Sequence, residues 1–216
     1  IGDISSVWGD YLDLKDYDYN TDYWRGRLNG TWNKAYALIL NCNKLLKNIQ
    51  GRQALFTGHN YDIIRGEALA LRAMLHFDML RLFGPVYSLN PDGTSIPYYA
   101  DETLTPEALL PASQVVYKAR AALLNDPVIT EGTLMSSAGN GSNFLRYRAL
   151  RLNYYAVSAL LARVNLYAGQ KQDALTYAVE VIRASNNGIF PFVDRSLVVG
   201  NPEDPDRIFS SEVVFA

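Results

Sequence analysis

The residues of this chain that could do chemistry are few and widely separated. The 216-residue sequence holds two histidines, His59 and His76, and a single cysteine, Cys42. No Cys or His pair has the spacing of a metal site, and neither a Gly-x-Ser-x-Gly elbow nor a glycine-rich phosphate loop occurs. The sequence therefore predicts no enzyme activity, no metal and no cofactor. We expect His76 and Cys42 to pack within helices.

Aspartates in the first 24 residues form the one group that invites acid–base chemistry. Two carboxyls held at a fixed separation by rigid elements can hydrolyse glycosidic bonds. Residues 1–24 have no clean helical or strand period, so we interpret them as an irregular lead-in with a solvated acidic face. An α-helical glycosidase stays as an alternative. The aspartates concerned are Asp3, Asp10, Asp13, Asp16, Asp18 and Asp22.

Five of the nine prolines fall within residues 84–112, and aromatic and aliphatic residues interrupt them, which predicts a long ordered loop. A sugar ring has an apolar C–H face and a rim of hydroxyls, so it binds aromatic planes beside amides or carboxylates. The alternative is that the tyrosines pin this loop onto the helices, and Trp8 and Trp24 compete as glycan contacts. The candidate glycan-binding residues are Tyr87, Asn90, Asp92, Tyr98 and Tyr99.

Apolar residues recur at three- and four-residue steps along most of the remaining chain, a pattern typical of amphipathic helices. Asn60, Ser113 and Asn153 are predicted N-caps. A short extended stretch over 145–152 and a strand at Glu212–Ala216 are also predicted. The predicted helices span 25–50, 61–83, 114–125, 153–168 and 171–185.

The last two predicted helices partly fit a tetratricopeptide helix pair. Ala162 and Ala174 are twelve residues apart across a minimal turn at Gly169, so we expect them to face each other where the helices cross. On the second helix we expect Ala174, Ala178 and Ile182 to form the inner stripe. The predicted fold is all-α, with tetratricopeptide-like helix-pair repeats and long ordered loops. The predicted outer face of the second helix is Lys171, Asp173, Thr176, Glu180 and Arg183.

Charges on the central helix are expected to be structural. Glu67 and Arg72 are five residues apart, so they do not face each other along the helix. Each is predicted to meet a partner on a neighbouring helix, and Arg72 is predicted to specify packing rather than to contact ligand.

The overall charge argues against nucleic acid as a partner. The net charge is −2 and no basic stripe occurs. No segment predicts a transmembrane span or a signal peptide. The chain closes within an apolar run, and we expect it to be a fragment. We treat 1–216 as a single helical domain.

Three separated stretches resemble one family in the correct order. The first runs from Gly66-Glu-Ala through Leu-Arg-Ala to Leu-Phe-Gly-Pro85. The second, Asn153–Gly169, contains Ala-Arg-Val and Leu-Tyr-Ala-Gly, and the third is Ser211-Glu-Val-Val-Phe-Ala216. Together they resemble the SusD/RagB family of outer-membrane nutrient-binding lipoproteins, over residues 25–216.

The resemblance implies a function that the residues alone do not. It implies tetratricopeptide-like helix pairs that support a loop-rich C-terminal half, which is absent from this chain. It also implies surface-exposed location at the outer membrane through an N-terminal lipid anchor, likewise absent here. The expected partners are a glycan ligand and a SusC-like TonB-dependent transporter. The alternative function is a tetratricopeptide-type scaffold that binds peptides in its groove.

Overall fold

The described part of the chain consists of helices, packed mainly as pairs, and one two-stranded sheet. The computed structural model describes residues 16–103, 105–124, 148, 151–200 and 209–215. The all-α prediction is confirmed, and each of the five predicted helices is present within three residues of its expected bounds. The helices are α1 Asp22–Ile49, α2 Asn60–Phe83, α3 Ala112–Leu124, α4 Tyr154–Tyr167, α5 Lys171–Asn186 and α6 Arg195–Val199. The strands are β1 Thr94–Pro97 and β2 Leu109–Pro111.

The first helix pair is formed by α1 and α2. At 1.5 Å per residue, α1 is about 42 Å long. Gly51 reverses the chain after it with φ +73°, a conformation that favours glycine. The predicted cap at Asn60 is wrong, because α2 already begins there and His59 occupies the cap position without a side-chain bond.

The central helix is α2, which packs against both α1 and α3. Small residues on its buried faces allow this close approach, and Ala70 and Ala73 are fully buried. The helix ends at Gly84, where a Cβ would lie 2.6 Å from the carbonyl oxygen of Leu80. Glycine is therefore required at this stop, and Pro85 prevents the helix from continuing.

The stretch predicted as a loop over 84–112 contains secondary structure. Strands β1 and β2 pair antiparallel, with Thr94 opposite Pro111, and Ser95 Oγ donates to the Leu110 carbonyl at 2.7 Å. Because β2 runs directly into α3 at Ala112, the predicted cap at Ser113 is wrong. The Ser113 hydroxyl instead donates to Asp92 at 2.9 Å.

The second helix pair is formed by α4 and α5. The predicted cap at Asn153 is confirmed, since its side-chain oxygen accepts from the amides of Tyr155 and Ala156 at 2.9 and 3.0 Å. Gly169 closes the turn with φ +76°. The predicted start of α4 at Asn153 and its predicted end at Gly169 are therefore both present.

The predicted faces of α5 are partly wrong. Ala174 is buried, but Ile182 is 56% exposed. Glu180, expected on the outer face, accepts hydrogen bonds from Tyr154 and from Ser158 of α4. Asp173 pairs with Arg120 of α3 at 2.9 Å. Polar contacts between helices therefore replace part of the apolar stripe.

Enlarging either alanine at the α4–α5 crossing tests how closely these helices pack. Ala174 is buried and Ala162 is half-buried, although their mutual contact stays a prediction. We expect Ala162→Leu or Ala174→Leu to overpack the crossing and lower the free energy of unfolding by about 1–3 kcal/mol. Urea unfolding measures the change, with the exposed Leu175→Ala as a control that should stay near wild type. Wild-type stability in both leucine variants would contradict the predicted pairing.

The charges of α2 have the following partners. Arg72 donates to Asn43 of α1, so its predicted partner on a neighbouring helix is confirmed. Glu67 pairs at 2.5 Å with the fully buried Arg148, a residue in 3₁₀ conformation that precedes α4. One charge therefore joins the first helix pair, and the other joins α2 to the start of the second pair.

The C-terminal segment contains no strand within its described residues. Ser210–Glu212 form a 3₁₀ turn, which overturns the predicted strand at Glu212–Ala216. The side-chain amide of Asn153 donates to the Val214 carbonyl at 2.9 Å. A side-chain hydrogen bond, rather than backbone pairing with another strand, therefore holds this segment. Most of the predicted stretch 145–152 and lead-in 1–24 lies outside the described residues. None of the described helices combines the length and apolarity that crossing a membrane requires.

Candidate functional site

A groove beside α1 is lined by aromatic rings and polar groups. We call it the aromatic groove. Trp32 and Tyr36 lie one helical turn apart on α1, with ring centroids 4.7 Å apart. Tyr99, which follows β1, lies edge-on to Tyr36 at 5.7 Å. The cavity between them has a volume of about 350 Å³, within the usual range for small-ligand sites.

Beside the apolar side chains of Ile39, Leu40, Pro97 and Pro106, the groove is lined by polar groups. These are the carboxylate of Asp101, the hydroxyls of Thr103 and Thr105, and the amide of Asn43. The two threonine hydroxyls are 2.7 Å apart. The lining therefore offers half-buried aromatic planes next to donors and acceptors, which is the combination that a sugar ring requires.

Side chains of α1 and α2 fasten the segment 97–101 that forms one wall of the groove. Asn43 donates to the carbonyls of Tyr99 and Asp101 at 3.1 and 3.0 Å. Tyr36 donates from its hydroxyl to the Pro97 carbonyl at 3.0 Å. A wall held at several backbone oxygens is preorganised, so little conformational entropy is lost when a ligand binds.

Arg72 completes this attachment from α2. One guanidinium nitrogen donates to Asn43 Oδ1 at 2.8 Å and to the Ala100 carbonyl at 2.5 Å. Arg72 is only 9% exposed, so its charge is met by oxygens of the protein. Since Asn43 also binds the wall directly, Arg72 and Asn43 act as one hydrogen-bonded unit.

His76 contributes an acceptor and is held neutral. Its Nδ1 lies 2.9 Å from the Arg72 carbonyl, which can only accept, so Nδ1 carries the proton. Its Nε2 then accepts from the Tyr99 amide at 3.1 Å. The pKa of His76 is lowered to about 4, mainly by burial; the hydrogen bond to the Arg72 carbonyl raises it in part, and the Arg72 charge contributes to the lowering.

Other groups around the groove also favour their neutral forms. Burial raises the pKa of Tyr36, as does the neighbouring Tyr99. Burial likewise raises the pKa of Tyr98 against the charge of Arg72. Cys42, on the same helix as Trp32, is buried and its pKa is raised by that burial. The thiol is therefore a packed apolar group rather than a nucleophile at neutral pH.

His76 makes stability depend on pH below neutrality. The unfolded chain takes up this proton near pH 6.5 and the folded chain near pH 4. The contribution of neutral His76 to the free energy of unfolding is therefore complete above pH 6.5. It is lost as the pH falls toward 4, and the loss amounts to up to about 3 kcal/mol. Urea unfolding between these pH values measures it. His76→Gln should flatten the dependence, whereas the exposed His59→Gln should leave it unchanged; equal profiles for the two variants would contradict this account.

The structure does not bring the five predicted glycan contacts together. Tyr99 lies at the aromatic groove. Tyr98 is 8% exposed and stacks on the His76 ring with centroids 3.9 Å apart, so it follows the alternative in which a tyrosine pins the loop onto the helices. Tyr87 packs against Tyr167 of α4 at 5.2 Å, while Asn90 and Asp92 are exposed at the turn before β1.

Sequence reasoning placed the α1 side of the groove in the core. Trp32, Tyr36 and Asn43 share the three- and four-residue spacing that predicts the helix over 25–50, so spacing alone places them on its apolar stripe. The signal that could have separated them is Asn43, a polar amide within that stripe. A buried side-chain amide needs hydrogen-bond partners. For Asn43 they are the carbonyls of Tyr99 and Asp101, which belong to the wall of the groove beside the aromatic rings.

Several solved structures have a fold similar to that of this chain, and their descriptions place them in the SusD superfamily or call them SusD-like. A SusD superfamily protein from Bacteroides thetaiotaomicron VPI-5482 is 24% identical, with a TM-score of 0.61 over 75% of this chain and 33% of that one. A SusD-like carbohydrate binding protein from Bacteroides vulgatus ATCC 8482 is 23% identical, with a TM-score of 0.58 over 77% and 33%. A laminarin binding SusD-like protein is 19% identical, with a TM-score of 0.53 over 76% and 31%.

These likenesses establish the fold, and the chain spans about a third of the length of each of these proteins. A search of curated proteins gave no significant match. A family model of SusD-like proteins, described as starch-binding and associating with the outer membrane, matches residues 2–122. That match covers more than half of the sequence, and the chain belongs to the SusD-like family.

Proposed function

We propose that the protein captures polysaccharide or oligosaccharide nutrients at the cell surface without changing them chemically. In this proposal it hands them to a SusC-type TonB-dependent transporter and is held at the outer membrane by an N-terminal lipid anchor. The family description, starch-binding and associating with the outer membrane, supports the general class. Concentrating a polymer at a transporter needs affinity and not turnover.

The observation that carries the proposal is the aromatic groove. Trp32 and Tyr99 offer partly exposed rings, and Asp101 and Thr103 offer hydrogen-bonding groups at its edge. Asn43, Arg72 and His76 are already bonded to backbone atoms, so they hold the wall in place. A rigid site with hydroxyl-binding groups and no activated nucleophile fits reversible binding.

Three candidate glycan-binding residues that lie outside the aromatic groove form a second proposed contact region. Tyr87, Asn90 and Asp92 lie on the same chain segment, between α2 and β1, but away from Tyr99. We predict that their substitution by alanine has less effect on glycan affinity than substitution in the aromatic groove. Tyr98 is left out, because its burial against His76 makes Tyr98→Ala a core mutation.

The experiment that tests the function uses the full-length protein and two measurements. Calorimetry with starch-derived and laminarin-derived oligosaccharides should detect saturable binding, and assays for new reducing ends should detect none over the same incubation. Release of reducing ends would favour the glycosidase alternative. Recovery of peptide partners without a transporter, together with no glycan binding, would favour the peptide-binding scaffold and sink the proposal.

A further inference from the structure

A second cavity lies directly beside the aromatic groove, and we call it the polar cavity. It has a volume of about 400 Å³. Asn43 and Asp101 line both cavities, so the two share one wall. The polar cavity is further lined by residues that include Lys47, Gln50, Tyr61, Arg65 and Glu102.

One face of α1 runs under both cavities. Trp32 and Tyr36 lie in the aromatic groove, Asn43 lies at the shared wall, and Lys47 and Gln50 lie in the polar cavity. Steps of four, seven and four residues keep the first four of these side chains on the same side of the helix, and Gln50 follows its last residue, Ile49. From Trp32 to Gln50 the track is about 27 Å long at 1.5 Å per residue. An extended ligand could therefore follow the helix axis and contact both cavities.

The charges of the polar cavity balance one another. Lys47 Nζ lies 3.0 Å from Glu102 Oε2. Arg65 adds a second cation and Asp101 a second carboxylate. Such a lining can donate to and accept from hydroxyls, but it carries no net charge that would favour an anionic sugar.

We propose that the two cavities are consecutive subsites for one neutral oligosaccharide, with a sugar ring on the aromatic rings and the continuing chain over Tyr61 and Arg65. This inference rests on the proposed glycan-binding function and adds to it a length requirement and a charge class. The aromatic groove supplies affinity for short ligands, and the polar cavity contributes only when the ligand is long enough to reach it.

The test compares a disaccharide with a hexasaccharide by calorimetry in the full-length protein, in both the malto- and laminari-series. We expect the hexasaccharide of the bound series to bind at least about tenfold more tightly. The double variant Tyr61→Ala/Arg65→Ala should remove most of that gain and leave the disaccharide unaffected. Gln50→Ala, at an exposed side chain beyond the end of α1, should reduce the gain without disturbing the fold.

Two matched controls separate this inference from the proposed function. Tyr117→Ala/Arg183→Ala alters exposed residues of α3 and α5 and should leave both affinities unchanged. Trp32→Ala should weaken both lengths. Equal affinity for the two lengths, equal weakening of both by Tyr61→Ala/Arg65→Ala, or tighter binding of an oligogalacturonate would overturn the subsite inference alone. Absence of binding to both series would overturn the glycan function as well. If glycans bind but Trp32→Ala has no effect on any of them, the aromatic groove is not part of the site and the subsite inference is overturned.

Discussion

Replacing Trp32 and Tyr99 together by alanine should reduce glycan affinity by roughly 30-fold or more, because truncating buried aromatic contacts at a binding site commonly costs at least 2 kcal/mol. Both rings line the aromatic groove, and both lose their apolar plane in this variant. Calorimetry on the full-length protein measures the change. Trp32 also packs edge-on against Phe83 at 5.0 Å, so part of the effect could come from the fold.

Controls separate lost contacts from a disturbed fold. Trp32→Phe keeps an aromatic plane and much of the packing, so it should retain most of the affinity. Tyr117→Ala removes a ring that is 72% exposed on α3, away from the groove, and should bind as wild type does. Circular dichroism and Tm establish that each variant is folded. Wild-type affinity in a folded Trp32→Ala/Tyr99→Ala variant would remove this groove from the site.

Replacing Arg72 by alanine should have the largest effect on stability. It would leave the buried Asn43 Oδ1 and the part-buried Ala100 carbonyl contact without their charged donor. We expect the free energy of unfolding to fall by about 3–5 kcal/mol. For a domain of this size that corresponds to a Tm lower by roughly 6–20 °C. Urea unfolding and thermal melting measure the two quantities.

The lysine variant is the matched control for Arg72. Arg72→Lys keeps the charge but not the two-acceptor geometry of the guanidinium, so its loss of stability should be intermediate. Glycan affinity in Arg72→Ala should weaken only as far as the wall at Ala100 loosens, because Arg72 is buried beneath the ligand surface. A variant that keeps its wild-type Tm while losing all binding would instead make Arg72 a direct ligand contact.

The helices could be predicted from the sequence because residues close together in the chain determine where each helix forms and where it ends. The apolar period sets α1 and α2, and Gly84-Pro85 stops α2 by steric conflict with Leu80. Asn153 caps α4 through its own side chain, an interaction spanning only three residues. Ser113 and Asn60 have the same capping chemistry, but strand β2 and the turn at His59 determine where those helices begin. Neighbouring structure therefore overrode local preference at two of three caps.

The site was harder to predict because its residues meet only in three dimensions. Asn43 reaches Tyr99 and Asp101 across more than fifty positions of sequence. Tyr98 and Tyr99 are adjacent and chemically identical, yet alternate backbone direction buries one on His76 and turns the other toward the groove. Composition of the loop indicated aromatic binding chemistry, but only the packing against α1 decides which ring is available.

The most direct test of the account is a crystal structure of the full-length protein with a hexasaccharide that calorimetry has shown to bind. The account predicts a sugar ring against Trp32 and Tyr99, hydrogen bonds to Asp101 or Thr103, and further rings extending past Asn43 toward Arg65. A ligand seated wholly elsewhere on the protein, with the aromatic groove empty at saturating oligosaccharide, would contradict it.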